Sequence, residues 1–532
     1  MKLDQMLLAA IVVAASLTLL MAYDITGRAI LADNQIFFFL SERAAAGVPP
    51  HISMADPKTQ LSSLLTAVAI GAGHGLGLDT VMAFRAISIV SVLTSVWLAY
   101  RLAIVLSGHA LAGPLAAAAL FVVEGLFLEG ASGGRPHVFT VTFILAAHLL
   151  MTHRRDVASG FAAACALLCW QPSAIVLGSI GLSLLLCRDA PIRRAVGVTA
   201  GALLAAAAYE SYFVWHGVAG EQLFQEFVLP TGSIHEMASL AENFWFVITD
   251  ARAYRPLPRL LPALFLLVVA LRWLSWLARP RAALEAVRSR PEVTAFWLAA
   301  HLGFAFTVYE HQAHPDLLLV QPYYAVACAW LFAELVMMGA PARARLTAAW
   351  VVTAIVFGWG YAQGRLIARL TGPGAAFSLQ DQRRMADAVR LYYDHRGSVW
   401  VLGSMHLLGL LHRDNWTQYG FFWDDLDRHM DTNAYRPERD GRMPEIILSG
   451  RGIVPGQAGW RRLEYLDITP PRFQVHNVRV FARRIDGDLL AQEAAAKAKA
   501  KAKAAQQGKA TVEGRAVQPR PGAAPAAPAT AP

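Results

Sequence analysis

What most constrains this chain is a repeated pattern, in which long, mostly apolar stretches are separated by short breaks that carry arginine. A helix needs about 20 such residues to cross the hydrocarbon core of a bilayer. The pattern predicts spans over residues 3–23, 80–106, 110–129, 136–152, 157–169, 173–187, 194–215, 257–278, 294–309, 316–339 and 345–363, eleven in all. The two at 157–169 and 173–187 are short and joined by Trp170, Gln171 and Pro172, which reads as a hairpin whose ends return to one side. Charged residues make up 16% of the 532-residue chain, against about 25% in soluble globular proteins. The mean hydropathy is +0.40. A chain so poor in polar groups cannot cover a water-facing surface of its own, which excludes most cytosolic enzymes. The expected fold class is a polytopic all-α membrane protein with a small C-terminal extracytoplasmic α/β domain.

A net charge of +9 and a pI near 9.5 would ordinarily raise nucleic acid as a partner. The positions of the charges argue otherwise. Arg101, Arg154 with Arg155, Arg188 with Arg193 and Arg194, the arginines of 279–290, and Arg343 with Arg345 fall in alternate short loops, all on one face. By the positive-inside rule that face is cytoplasmic. The loop 24–60, the links 130–135 and 216–256, the turn 310–315 and everything after about 364 are then external. Leu20, Met21, Ala22 and Tyr23 make a poor cleavage site, so the first span reads as an uncleaved anchor. Residues 1–363 form the membrane domain, and 364–485 an α/β domain with an amphipathic segment at 381–394 and strands near 399–402, 446–448 and 478–481. Residues 486–532, rich in Ala, Lys and Pro, cannot pack a core and are expected to be disordered. The high pI is thus a topology signal plus a basic tail, with a lipid bilayer as partner and no nucleic acid. The four cysteines, Cys165, Cys169, Cys187 and Cys328, lie in or at the ends of spans, so no disulfide framework or thiolate metal site is implied.

The first external loop carries the most chemistry. Residues 33–61, DNQIFFFLSERAAAGVPPHISMADPKTQL, start on an acid, run through Phe37, Phe38 and Phe39, turn at Gly47, Pro49 and Pro50, and deliver Asp56, Pro57 and Lys58 ahead of the next apolar segment. Aromatics beside charges suit a helix lying in the membrane interface. Asp33 and Asp56 would then sit at one depth, near a lipid headgroup.

These residues resemble the GT-C superfamily of membrane glycosyltransferases, in particular bacterial relatives of the protein O-mannosyltransferases and of the lipid A aminoarabinose transferase. The matching residues are Asp33, then Gly47 and Pro49, then Asp56, Pro57 and Lys58. Gly134, Arg135 and Pro136 are similar to the family's Arg-Pro-acid motif, and Trp170, Gln171, Pro172 and Ser173 to its Lys-Gln-Pro-Ser turn. The resemblance covers roughly residues 20–190. The chain departs from the family at Asn34, where a second acid is common, at Thr59 and Gln60, where prolines follow the lysine, and at His137, where an acid is usual.

The resemblance implies an inverting transferase that moves a sugar from a polyprenyl-phosphate donor to an envelope lipid, glycan or protein at the external membrane face. Such a reaction needs a base for the acceptor hydroxyl and positive groups for the departing phosphate. Asp33 is the candidate base and Asp56 a second carboxylate that orients the acceptor. Each has a structural rival, Asp33 as a helix N-cap and Asp56 as a turn residue before Pro57. Lys58, Arg135, His137, Gln171 and Tyr324 are candidates for binding the donor phosphate. Lys58 and Arg135 would otherwise snorkel to the interface, and one of Tyr323 and Tyr324 would belong to an interfacial aromatic belt. Glu310, His311 and His314 cluster in one external turn, with ligand chemistry suited to a divalent ion. Glu124 and Glu129 are five apart, which is not a same-face spacing. Two other functions compete. A transporter or flippase would show broken helices at matching places in two halves, and only the Trp170 to Ser173 break is evident. A non-catalytic envelope scaffold would use the external domain and basic tail.

Overall fold

The computed structural model describes residues 3–22, 24–30, 33–228, 239–249, 256–310, 314–337, 347, 350–352, 354–355, 378–396, 399–415, 446–449, 465–467 and 478–483. The tail at 486–532 and most of the expected span at 345–363 lie outside the described residues.

In chain order the helices are α1 (Leu3–Leu17, running into a π-helical turn at Thr18–Ala22), α2 (Asn34–Ala45), α3 (Pro50–Ser53), α4 (Leu61–Gly75), α5 (Thr80–Ser107), α6 (Ala112–Phe121), α7 (Glu124–Ser132), α8 (Pro136–Thr152), α9 (Asp156–Cys169) and α10 (Ala174–Leu186). There follow α11 (Pro191–Trp215), α12 (Ala219–Leu223), α13 (Leu240–Thr249), α14 (Pro256–Ala278), α15 (Pro280–Ser289), α16 (Pro291–Tyr309), α17 (Gln321–Met337), α18 (Leu379–Arg396) and α19 (His406–Leu411). Among the described residues two helices, Thr80–Ser107 and Leu261–Ala278, are long and apolar enough to cross a membrane, and α6 with α7 makes a third if a 62° bend is allowed. Several of the other expected spans are carried by shorter apolar helices, α1, α8, α9 and α10.

The expected single span at 110–129 is two helices. Val123 takes an extended backbone (φ −73°, ψ 90°), which ends α6 and swings α7 aside. Behind α7, Gly133 and Gly134 adopt φ of +93° and +68°, a region that costs a side-chain-bearing residue about 1–2 kcal/mol. Both press on Phe84, where a Cβ on Gly133 would lie 2.6 Å from the ring. The turn can form only with glycine, and it aims Arg135 back at α7.

The two ends of the bundle differ. At one, Arg154 pairs with Asp189 (2.6 Å), Arg188 with Glu285 (2.6 Å) and Arg194 with Asp156 (2.9 Å), and Arg290 donates to the Leu106 carbonyl (3.1 Å). The Arg154 pair joins the start of α9 to the segment after α10, so the short hairpin does return to one side. At the other end, the buried guanidinium of Arg85 donates to the carbonyls of Ile25 (2.5 Å) and Arg28 (2.6 Å), tying the first loop to α5. Helix α4, which the sequence reading did not anticipate, lies across this end. Its start is held by Thr59 on the Leu167 carbonyl (3.3 Å) and its tail by His74 on Thr80 (3.0 Å), both at the same end of the bundle.

Strands β1 (Val399–Leu402), β2 (Ile446–Ser449), β3 (Tyr465–Asp467) and β4 (Arg479–Arg483) form a sheet in the order β1-β2-β4-β3. β1 and β2 are parallel with Val399 opposite Ile446, and the other pairs are antiparallel. The sheet sits on the first loop. Ile36, Phe39 and Leu40 of α2 share a core with Val399, Val401 and Leu448, whereas Phe37 and Phe38 share one with Val81 and Phe84 of α5. The aromatic helix is therefore buried between bundle and sheet, with Phe37, Phe38 and Phe39 no more than 2% exposed. It does not lie in a lipid interface as expected, because its two apolar faces each meet protein.

Candidate functional site

Asp33 stands just before α2, where its rival role is a cap. Its backbone is already helical (φ −65°, ψ −19°) and its side chain makes no capping hydrogen bond. The carboxylate instead accepts from Arg135, with Nη2 at 3.1 Å from Oδ2. The other terminal nitrogen of Arg135 donates to Glu129 Oε1 at 3.2 Å, and Asn34 Nδ2 reaches Glu129 Oε2 at 3.4 Å. A single guanidinium thus joins the first loop to α7. Arg135 keeps 13% of its side-chain exposure and Asp33 keeps 32%, so the acid is the more open partner. Asn34 occupies the position where the family commonly has a second acid, and Glu129, from α7, supplies a carboxylate beside it. The spacing of Glu124 and Glu129 hid this, since the partner of Glu129 comes from beyond the glycine turn.

Lys58 lies with its ammonium 5.6 Å from the centroid of the Phe37 ring, a cation–π distance. Phe37 is one helical turn after Asp33, which brings the lysine to the same face of α2 as the acid. Asp56 is 1% exposed. Its Oδ1 accepts from the Lys58 backbone N–H (3.2 Å) and its Oδ2 from Gln60 Nε2 (2.9 Å), so the carboxylate shapes the turn that carries Lys58. Gln171 donates to the Pro57 carbonyl at 3.0 Å and braces the same turn from the break between α9 and α10. His137 is two residues past Arg135, stacked obliquely on Trp170 with centroids 4.3 Å apart. It is buried, and neither ring nitrogen has a hydrogen-bond partner among the described residues, although Asp316 Oδ1 is 3.8 Å from Nε2.

Other expected residues lie apart. Tyr323 and Tyr324 are both buried, so neither is in an interfacial belt. Tyr323 hydrogen-bonds His148 (3.0 Å) and Tyr324 packs on Phe265 (4.5 Å between centroids). His311 and the side chain of His314 lie outside the described residues, so the expected divalent-ion turn is not described. Among the described residues no three His, Cys, Asp or Glu side chains are grouped as a metal would need.

No protein-family model matches the sequence, and no curated protein matches it by sequence. Solved structures do match its fold. ArnT from Cupriavidus metallidurans bound to undecaprenyl phosphate is similar over 89% of this chain and 97% of that one, with a TM-score of 0.59 and 12% identity. The apo state of ArnT is similar over 88% and 97%, with a TM-score of 0.58 and 13% identity. The likeness extends over nearly the whole of both chains, so this chain shares its overall fold with ArnT.

Proposed function

We propose that this chain is a membrane glycosyltransferase that takes its sugar from a polyprenyl-phosphate donor. The observation that carries the reading is the pairing of Asp33 with Arg135, with Lys58 placed over Phe37 one helical turn further on. An acid expected to cap a helix leaves that task and pairs with a cation reached across 102 residues of sequence. The solved relative with bound undecaprenyl phosphate supports the donor class. Asp33 takes the proton of the acceptor hydroxyl as its oxygen forms a bond to the anomeric carbon. The bond from that carbon to the phosphate oxygen breaks on the opposite side, which inverts the configuration. The lipid phosphate leaves with the bonding electron pair, and Lys58 and Arg135 stabilise its charge. His137, buried beside Arg135, is placed to donate to the same phosphate. Gln171 and Asp56 act on the donor through the Lys58 turn. In this reading the arginine-rich end faces the cytoplasm, and the site and sheet face outward.

The test is transfer of label from a panel of polyprenyl-phosphate hexoses and pentoses by the full chain in native membranes. Asp33→Asn is expected to lower transfer about 10²–10⁴-fold, the ordinary worth of a general base. A wild type that transfers from no donor sinks the enzyme reading. A mutant at full rate sinks only the choice of base.

A further inference from the structure

Beside the Lys58 turn the structure holds a set of buried polar side chains that the reaction above does not use. His51 of α3 is 0% exposed, Gln60 0%, Gln225 1%, Glu226 2% and Tyr209 3%. Burying so many polar groups is costly unless each finds a partner, so the arrangement must be nearly complete to persist. It closes into a ring. His51 Nε2 meets Glu226 Oε1 at 2.9 Å and His51 Nδ1 meets Gln225 Oε1 at 3.0 Å. Gln225 Oε1 also accepts the backbone N–H of Asp56 (3.1 Å). Gln60 Nε2 donates to Asp56 (2.9 Å), and the Gln60 N–H donates to the Tyr209 hydroxyl (2.8 Å), which in turn donates to Glu226.

The hydrogen bonds settle which atoms carry protons. Gln225 Nε2 donates to the His51 carbonyl (3.0 Å) and to Glu221 (2.6 Å), so its amide cannot be flipped and Oε1 is an acceptor. His51 Nδ1 is therefore the donor to Gln225 Oε1, and Nε2 faces the Glu226 carboxyl group. Gln225 and Glu226 sit in a π-helical turn, Phe224–Val228, directly after α12. Such wide turns are rare and recur at functional sites. Both peptide groups of Lys58 are held by ring members, its N–H by Asp56 (3.2 Å) and its carbonyl by Gln60 Nε2 (2.9 Å).

We propose that Glu226, His51 and Tyr209 are positioning residues that hold Lys58 in place for the donor phosphate, making the segment after α11 part of the donor site. The proposal rests on the transferase reading above and names which loop tunes its lipid-phosphate affinity. None of the three touches the phosphate. Their effect passes through the backbone of Asp56 and Lys58.

The experiment measures binding of undecaprenyl phosphate to the purified full chain in detergent, with melting temperature recorded for every variant. Glu226→Gln is isosteric and takes away one of the two oxygens that His51, Tyr209 and Gln222 meet, and it is expected to weaken binding about tenfold. In a Lys58→Ala background the same change is expected to cost nothing more, whereas in an Arg135→Ala background it costs the full factor. Tyr209→Phe opens the ring at one hydroxyl and is expected to show the same pattern, which covers the case of a Glu226 variant that does not fold. A general loss of structure would weaken binding in both backgrounds. Equal losses with and without Lys58, or wild-type affinity in both ring variants, overturn the proposal while leaving the transferase reading intact. A wild type that does not bind undecaprenyl phosphate overturns both.

Discussion

At the scale of single residues, the site turns on which carboxylate meets which cation. Asp33 and Arg135 are each legible in the sequence as chemistry-bearing residues beside a helical segment. That they touch is not, because the contact joins positions 102 residues apart. Glu129 was legible only as an acid near the end of a span, and its bond to Arg135 depends on a turn that two glycines alone permit. Arg135 needs both terminal nitrogens to serve two acids at once, at 3.1 and 3.2 Å. An ammonium is a compact point charge without that rigid fork, and it holds two separated acids less well. Arg135→Lys is therefore expected to lower transfer about tenfold, and Arg135→Ala further, with the loss appearing in the KM for the donor. Kinetics at varied donor concentration check this. A lysine variant with wild-type KM would show that the fork is not used.

At the scale of elements, the run Phe37, Phe38 and Phe39 announced a helix but not its surroundings. Three adjacent aromatics point to different sides of α2, and which neighbours cover them is decided by elements hundreds of residues later. The sheet is clamped to α2 by polar contacts as well. Arg43 pairs with Asp414 at 2.7 Å and His412 Nδ1 with Glu42 Oε1 at 2.8 Å. The hydrogen bond to Glu42 raises the pKa of His412 above its ordinary value, against burial and the nearby Arg43 and Arg390. A raised folded value means that the pair stabilises the fold fully below the unfolded value of about 6.5, and that this is lost as pH climbs through the folded value. His412 is half exposed, so the effect is about 1 kcal/mol or less. The melting temperatures of wild type and His412→Ala, followed from acid to alkaline pH, are expected to differ most at the acid end and to converge at the alkaline end. A constant gap would mean that the histidine acts by packing alone.

At the scale of the whole molecule, the arginines of the short loops, Arg154, Arg188 and Arg194, pair at one end of the bundle and the site lies at the other. Asp414→Cys lies at the site end and Arg288→Cys at the arginine end, both exposed. A membrane-impermeant maleimide is expected to label the first in spheroplasts and the second only in inverted vesicles. The native thiols are buried or half-buried and add little background. Labelling of both from one side would contradict the orientation. The apolar runs by themselves determined that this chain lives in a membrane, that basic residues divide its loops, and that the first loop carries acid, aromatics and lysine. These are local properties, set by composition and short-range periodicity. Tertiary structure alone decided that 110–129 breaks in two, that α4 lies across the bundle, that Asp33 meets Arg135, and that the Lys58 turn rests on a buried ring containing Glu226. Each depends on contacts between residues far apart in the chain, where burial and hydrogen-bond completion override what any short stretch prefers.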